Sequence, residues 1–437
     1  MSPPLRIASI LLLALAAGRS AAAQSASRPL PVFHSLFGPV ESEQTRPRQL
    51  DVNWSLYNAE DDNSFLATDA DILDAALQSR RWYSGAAISL QYVRRPPRHV
   101  LTLSAVSSGR YYPDLRRIVT TRYGGGMTLD ALPAKDWRVQ LSNGASFSPF
   151  YQIVLAPSAA GSSAPDASAP DASAPGPDNA VSRQHAVQYG SSVGVTHTYS
   201  ERSALAFNYG LRYTQVFDAP DSGSQRGGVE FTHGIAKDIA LRLGYAYGIA
   251  FTGADPDAAP IRNQDIDIGV NYGKSFALSR RTSFGFTTGS TIISSGDGAH
   301  FRVTGSGRFS RRLAPRWTAQ ALYDRGLQVP DGATRPFFSD TLAGNISGHF
   351  NRRVSLRLQP SYSHGVVGFT GKTNSYNSYS STTRFEVGVS HRLALYAEHF
   401  YYKYEFASGV GLPALLTTGL NRQGVRAGLT LWTPLVQ

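Results

Sequence analysis

Charged residues in this chain recur at alternate positions, in segments whose other positions are apolar. Arg138, Arg212, Arg242, Arg302, Arg308, Arg357, Arg384 and Arg426 hold one phase, and Glu230, Asp265, Asp267, Glu386 and Glu398 share it. Guanidinium groups arrayed on one face suit carboxylates and phosphates, which they grip with a planar set of donors. Around a water-filled passage, rings of such groups favour anions. The same residues can instead neutralise one another. Arg212 and Glu230, Glu230 and Arg242, Arg242 and Asp265, and Glu398 and Arg426 lie on neighbouring segments, and cross-strand ladders of opposite charge stabilise a wall. Both uses require the same placement, inward and away from any apolar surroundings.

Other chemistry finds little support. No G-x-x-x-x-G-K-[ST] or H-E-x-x-H pattern occurs. The 10 histidines are scattered, and His185, His197 and His399 fall in phase with apolar neighbours, which predicts places near strand ends. Neither catalytic residues, nor a cofactor, nor a metal site is expected. Residues 59–80, AEDDNSFLATDADILDAALQSR, gather Glu60, Asp61, Asp62, Asp69, Asp71 and Asp74. Ile72, Leu73, Ala76 and Leu77 have helical spacing, with Asp69 placed to cap. The stretch reads as a solvated acidic loop, able to fold inward. It lacks the glycine and closing glutamate of a calcium-binding loop.

The elements that position the charges are ribbons. In IALRLGYAYGIAF (239–251), Ile, Leu, Leu, Tyr, Tyr, Ile and Phe alternate with Ala, Arg, Gly, Ala, Gly and Ala. Successive side chains of a strand point to opposite faces, so one face is greasy and the other small and polar. The pattern recurs in about eighteen segments between residues 48 and 433, and helical spacing is nearly absent. Val52, Trp54, Leu56; Leu205, Phe207, Tyr209, Leu211, Tyr213; and Ile266, Ile268, Val270, Tyr272 are clear combs. The first strand is placed at 48–58, the fifth at 136–154 and the sixth at 183–199.

Connections between combs alternate short and long. VRRPPR, YSERSA, AKDI, SRRTS, NRRVS and SHRLA are short; 59–80, 154–182, 252–262 and 406–421 are long. Adjacent antiparallel strands place alternate connections at opposite ends, giving one tight end and one shaggy end. Trp54, Trp82, Trp137, Tyr151, Tyr199, Phe251, Tyr272, Trp317, Phe350 and Tyr401 recur near comb ends, as two aromatic girdles would.

Arg6, the apolar run IASILLLALAAG (7–18) and Ala21-Ala22-Ala23 make a secretory signal peptide over 1–23, so export is expected. Residues 24–47 are Pro-rich and read as a periplasmic N-terminal tail. No other run reaches the eighteen or so apolar residues of a membrane helix. Mean hydropathy is −0.22, an average that conceals a lipid face when apolar and polar residues alternate. There are no cysteines, so no disulfide staples the chain. The net charge of +11 fits acidic headgroups or an anion pathway, and export argues against nucleic acid as partner. Residues 163–177, SAPDASAPDASAPGP, repeat SAPDA and cannot bury a core. They predict a disordered outer loop over 155–182.

The signal peptide, the combs and the alternating turns resemble bacterial outer-membrane β-barrel proteins of the porin-like class, of Gram-negative origin. YNAEDDNSF (57–65) is similar to the opening of putative β-barrel porins, some of which accompany exopolysaccharide export. One departure is the end LTLWTPLVQ, where such barrels usually finish on an aromatic residue and this chain has Trp432 further in.

The resemblance implies a single all-β, antiparallel transmembrane barrel over 48–437, with outer-membrane lipid, the barrel-assembly machinery and hydrophilic solutes or a polysaccharide as partners. Passive or facilitated diffusion of hydrophilic solutes, anionic ones included, is the leading expectation. An exopolysaccharide conduit and a non-conducting scaffold or adhesin acting through its loops are the alternatives.

Overall fold

Strict alternation of apolar and small polar residues commits this chain to strands with two unlike faces. In the computed structural model the described residues are 47–65, 81–113, 118–149, 151–152, 155, 180–182, 185–217, 221–236, 239–252, 260–272, 282–295, 298–328, 336–368, 374–407 and 418–436. They form β1 (Arg48–Phe65), β2 (Arg81–Arg94), β3 (His99–Tyr112), β4 (Ile118–Ala134), β5 (Trp137–Ser148), β6 (Tyr151–Gln152), β7 (Ala180–Ser182), β8 (Ala186–Ser200), β9 (Ser203–Val216) and β10 (Ser222–Ala236). The second half of the chain adds β11 (Ile239–Thr252), β12 (Ile261–Tyr272), β13 (Thr282–Ser295), β14 (Gly298–Ala314), β15 (Trp317–Gln328), β16 (Phe337–His349), β17 (Val354–Val367), β18 (Ser375–Gly388), β19 (Leu393–Phe406) and β20 (Gly419–Val436).

All but β6 and β7 belong to one 18-stranded sheet. Each stave pairs antiparallel with the next in sequence, β5 with β8 across the β6–β7 ribbon, and β20 returns to pair with β1. The sheet closes into a barrel, and closure leaves no free edge. Both β1 and β20 have their chain-terminal ends at the short-turn end.

The short turns are built by side chains that replace ladder bonds. Asn351 accepts hydrogen bonds from the backbone N–H of Arg353 (2.7 Å) and Val354 (2.9 Å). Ser390 does the same for Arg392 (3.2 Å) and Leu393 (3.1 Å). Such local acceptance is why Asn and Ser recur at turns.

The greasy comb faces outward. On β11, Leu243, Tyr245 and Phe251 are exposed while Ala246 and Ala250 are buried. Ile266 and Ile268 of β12 and Phe301 and Val303 of β14 are each more than half exposed. An apolar surface of this extent is stable in lipid and not in water. Trp54, Trp82, Trp137, Tyr199, Phe251 and Phe350 of the expected girdles are exposed on this face. Trp137 stacks on His197 (4.4 Å) and Trp317 meets Phe350 edge-on (5.0 Å) at the short-turn end. Trp432 turns inward instead and is buried against Ala394.

Several boundaries differ from the sequence reading. β1 runs to Phe65, so Glu60, Asp61 and Asp62 lie on a stave and not in a loop that begins at 59. The acids do not end the strand because the ladder to β20 continues through Phe65. β5 ends at Ser148, and Tyr151–Gln152 pair with β7. Within the expected outer loop at 155–182, the described residues are Leu155, which is buried, and β7. The signal peptide and residues 24–46 of the expected tail lie outside the described residues, as does 66–80. His399, expected near a strand end, sits mid-way along β19 and faces outward.

Candidate permeation path

Ladder register fixes which side chains share the interior. Arg138, Arg212, Glu230, Arg242, Asp265, Asp267, Arg302, Arg308, Arg357, Arg384, Glu386, Glu398 and Arg426 all hold the phase opposite the exposed comb, on ten different staves. The register also decides which of them meet. Arg242 reaches Glu230 (3.5 Å), and Arg426 reaches Glu398 (3.7 Å). Two expected pairs do not form. Glu230 lies opposite Ala206 and Arg212 opposite Ser224, which separates them along the ribbon. Asp265 lies opposite Ala246, too far along β11 for Arg242, and its partner is Arg226 of β10.

The interior has two unlike walls. One wall, formed by β18, β19, β20, β1 and β2, is dry. Arg384 is held by Glu386 (2.7 Å) and Glu398 (3.3 Å), and its guanidinium lies 4.0 Å from the centroid of the Tyr396 ring. Arg426 sits over the rings of Tyr57 (5.2 Å) and Phe400 (5.3 Å), and Arg422 clamps Asp61 across the β1–β20 seam. Arg384, Glu398, Arg422, Arg426, Asp61 and Phe400 are all buried. Charges so far from water are tolerated only when paired and hydrogen-bonded, and a ring face adds to the attraction on each cation. Two glycines make room for the rings. A Cβ on Gly85 would lie 2.2 Å from the Tyr57 ring, and one on Gly424 2.3 Å from Phe400.

The opposite wall, β4 through β14, is wetter and smoother. Gly126, Gly144 and Gly190 follow one another in a single register row, ending at Arg212. Ser142, Ser192 and Gly210 make the next row and end at Arg226. Arg212 and Arg308 are exposed to the interior, and Arg226 is 51% exposed although paired. Arg138 grips Asp130 through two bonds (3.0 and 2.5 Å). Small side chains with intermittent Arg and Asp leave space and supply hydrogen-bonding sites for a hydrated solute.

At the long-loop end a third feature joins the walls. Ala186 and Val216 of β8 and β9 belong to one buried apolar cluster with Phe337, Val367, Tyr376, Tyr402, Tyr404, Phe406 and Leu420 of β16–β20. Staves β10–β15 separate the two groups, and Leu155 is the member of the cluster that lies off the barrel wall.

Against this geometry, the solved structures with similar folds include OccK11 (OpdR) of Pseudomonas aeruginosa, at 11% identity over 89% of this chain and 96% of that chain, TM-score 0.43. OccAB3 of Acinetobacter baumannii shares 9% identity over 88% and 99%, TM-score 0.45, and the siderophore receptor PirA of P. aeruginosa 10% over 89% and 81%, TM-score 0.41. No protein-family model matches the chain. No curated protein matches it either.

Sequence reasoning misses Asp61, Asp130, Arg226 and Arg422 as interior charges, although all four hold the inward phase of their staves. Asp61 sits in an acidic run that reads as a loop, and Arg422 at the very start of an expected strand. The inward rings of β19 are hidden because YAEHFYYKYEF carries aromatics in both phases. Only the ladder tells Tyr402 from Tyr401.

Proposed function

We propose that this protein is a porin-like channel of a bacterial outer membrane, reached after signal-peptide export, and that hydrophilic solutes cross it along the β4–β14 wall. The two-walled interior carries the reading. Glycine and serine rows end at solvent-exposed Arg212 and half-exposed Arg226 on one side, while the charges of the other side are locked in pairs. A solute moving along the smooth wall meets Arg212, which is exposed to the interior, and such a cation favours anions. Transport is passive, and the protein's own groups supply only transient electrostatic and hydrogen-bonding contacts.

The exopolysaccharide-conduit reading calls for an aromatic track facing a passing sugar chain. Tyr396, Phe400, Tyr402, Tyr404 and Phe406 do form an inward column on β19, but all are buried and offer no face for stacking. The small-solute reading therefore fits better.

The deciding experiment is single-channel recording of the folded barrel in a planar bilayer under a KCl gradient. Steady ohmic current with a reversal potential on the chloride side supports the proposal. A correctly folded barrel that passes no current refutes it.

A further inference from the structure

The short turns carry a rim of cations that the permeation path does not use. Arg202, Arg316, Arg352, Arg353 and Arg392 lie in these turns, all exposed, and among the described residues none of them enters a salt bridge. The acids of the described short turns are Asp136 and Glu201. At the opposite end, outward Arg325 and Lys403 each have a carboxylate partner, Asp340 at 3.2 Å and Glu405 at 2.7 Å.

The cations of the rim stand beside exposed apolar side chains. Tyr199 precedes Arg202, Leu313 precedes Arg316, Phe350 precedes Arg352 and Arg353, and Val389 precedes Arg392. The last ladder positions repeat this. Arg311 holds the outward face of β14 between exposed Phe309 and Leu313. Arg48 of β1 and Arg94 of β2 hold the outward phase of Trp54 and Trp82, are exposed, and lie directly opposite each other. Like charges directly across a ladder are destabilising, and an anion seated between them removes the penalty.

We propose that this rim is a binding surface for the anionic phosphate headgroups of the membrane leaflet at the short-turn end. Cations interleaved with exposed apolar groups match a surface whose acyl chains stop where its phosphates begin. The arginine stem lies along apolar surface and carries the guanidinium to headgroup level, where its planar donors grip phosphate. A soluble polyanion would use the cations and leave Leu313, Phe350 and Val389 in water. The proposal rests on the membrane placement inferred above.

The folded barrel is reconstituted in mixed vesicles of phosphatidylcholine and phosphatidylglycerol. Spin-labelled lipids of each kind then report, by electron spin resonance, which one the protein's boundary retains. Phosphatidylglycerol should be preferred by about threefold or more at low salt, because each basic group near an anionic surface adds attraction. The preference should fall towards parity in about 1 M NaCl, where the screening length is about 3 Å. Combining Arg48→Gln, Arg94→Gln, Arg311→Gln, Arg352→Gln and Arg353→Gln should remove most of it. Arg325→Gln with Lys403→Gln, at the long-loop end, should keep it. No preference for phosphatidylglycerol in the unaltered barrel, or one that persists in high salt, overturns the proposal whether or not the rim variant folds. Equal loss in the two variants overturns its assignment to this rim. A rim variant that loses polyglutamate binding with its lipid preference unchanged assigns the cations to a soluble acidic partner instead. A folded barrel that immobilises neither lipid overturns the membrane reading itself.

Discussion

Arg422 and Asp61 stand 361 residues apart in the chain and form a two-pronged ion pair in the finished barrel, with Nε 2.9 Å from one carboxylate oxygen. The pair bridges β20 and β1, the seam that joins the two ends of the barrel's strand order. Both groups are buried, so the pair matters less for its own attraction than for the penalty of losing one partner. Removing Arg422 leaves the buried Asp61 carboxylate without this pair.

The Arg422→Ala variant should therefore lose about 3–5 kcal/mol of barrel stability, the usual cost of orphaning a buried charge. Asp61→Ala should also destabilise the barrel, through loss of the same pair. The double variant Asp61→Leu with Arg422→Met should recover most of the loss, because neither charge remains to be solvated. Urea unfolding of the barrel in lipid vesicles measures all three. Equal destabilisation in the single and double variants would show that packing, and not charge, holds the seam.

The two walls should differ in chemical access. Ser192 of β8 is on the small-residue wall, and Ser378 of β18 is fully buried on the inward face of the other. Cysteine is nearly isosteric with serine. In the open channel Ser192→Cys should react with a charged methanethiosulfonate and reduce the current, while Ser378→Cys should react at least tenfold more slowly. Similar rates at both sites would mean that the interior is evenly wetted.

Ion selectivity should follow the exposed arginines. A unit charge at about 4 Å contributes about 1 kcal/mol in water, roughly a fivefold change in ion occupancy. Arg212→Glu should lower the chloride-to-potassium permeability ratio several-fold. The Arg384→Gln variant, altering a cation already held by Glu386 and Glu398, should leave the ratio within about twofold on the same electrostatic scale. Reversal potentials in a KCl gradient give both values.

How far the sequence reveals this molecule depends on which interactions are local. Alternation is local, so the combs of Leu205–Tyr213 and Ile239–Phe251 disclose strand, face and barrel together. Turn chemistry is local as well, as Asn351 and Ser390 show. Register is not. It sets Asp265 against Arg226 and not Arg242, and it keeps Glu230 away from Arg212. The division into a dry and a wet wall depends on how inward side chains of neighbouring staves pack against one another, and no single ribbon encodes that. Composition also misleads at Asp61, because an acidic run that looks like a loop becomes a strand once Arg422 arrives from the other end of the chain.

Leu155 should control the outer mouth. Its buried side chain joins a cluster drawn from β8–β9 and from β16–β20, so it spans the interior at the long-loop end. Truncating a buried leucine to alanine costs about 2–5 kcal/mol when the site cannot collapse, and rigid barrel walls limit collapse. The cost should fall on the contact that ties the two sides together and leave the β-ladder intact. Leu155→Ala is therefore expected to keep the heat-modifiable barrel while raising single-channel conductance and admitting larger neutral solutes in liposome-swelling assays. Leu155→Asp, which places a charge among Phe337, Tyr376 and Phe406, should act more strongly in the same direction. Unchanged conductance and size limit in both variants would show that the path bypasses this cluster, as a route confined to the β10–β14 side would require.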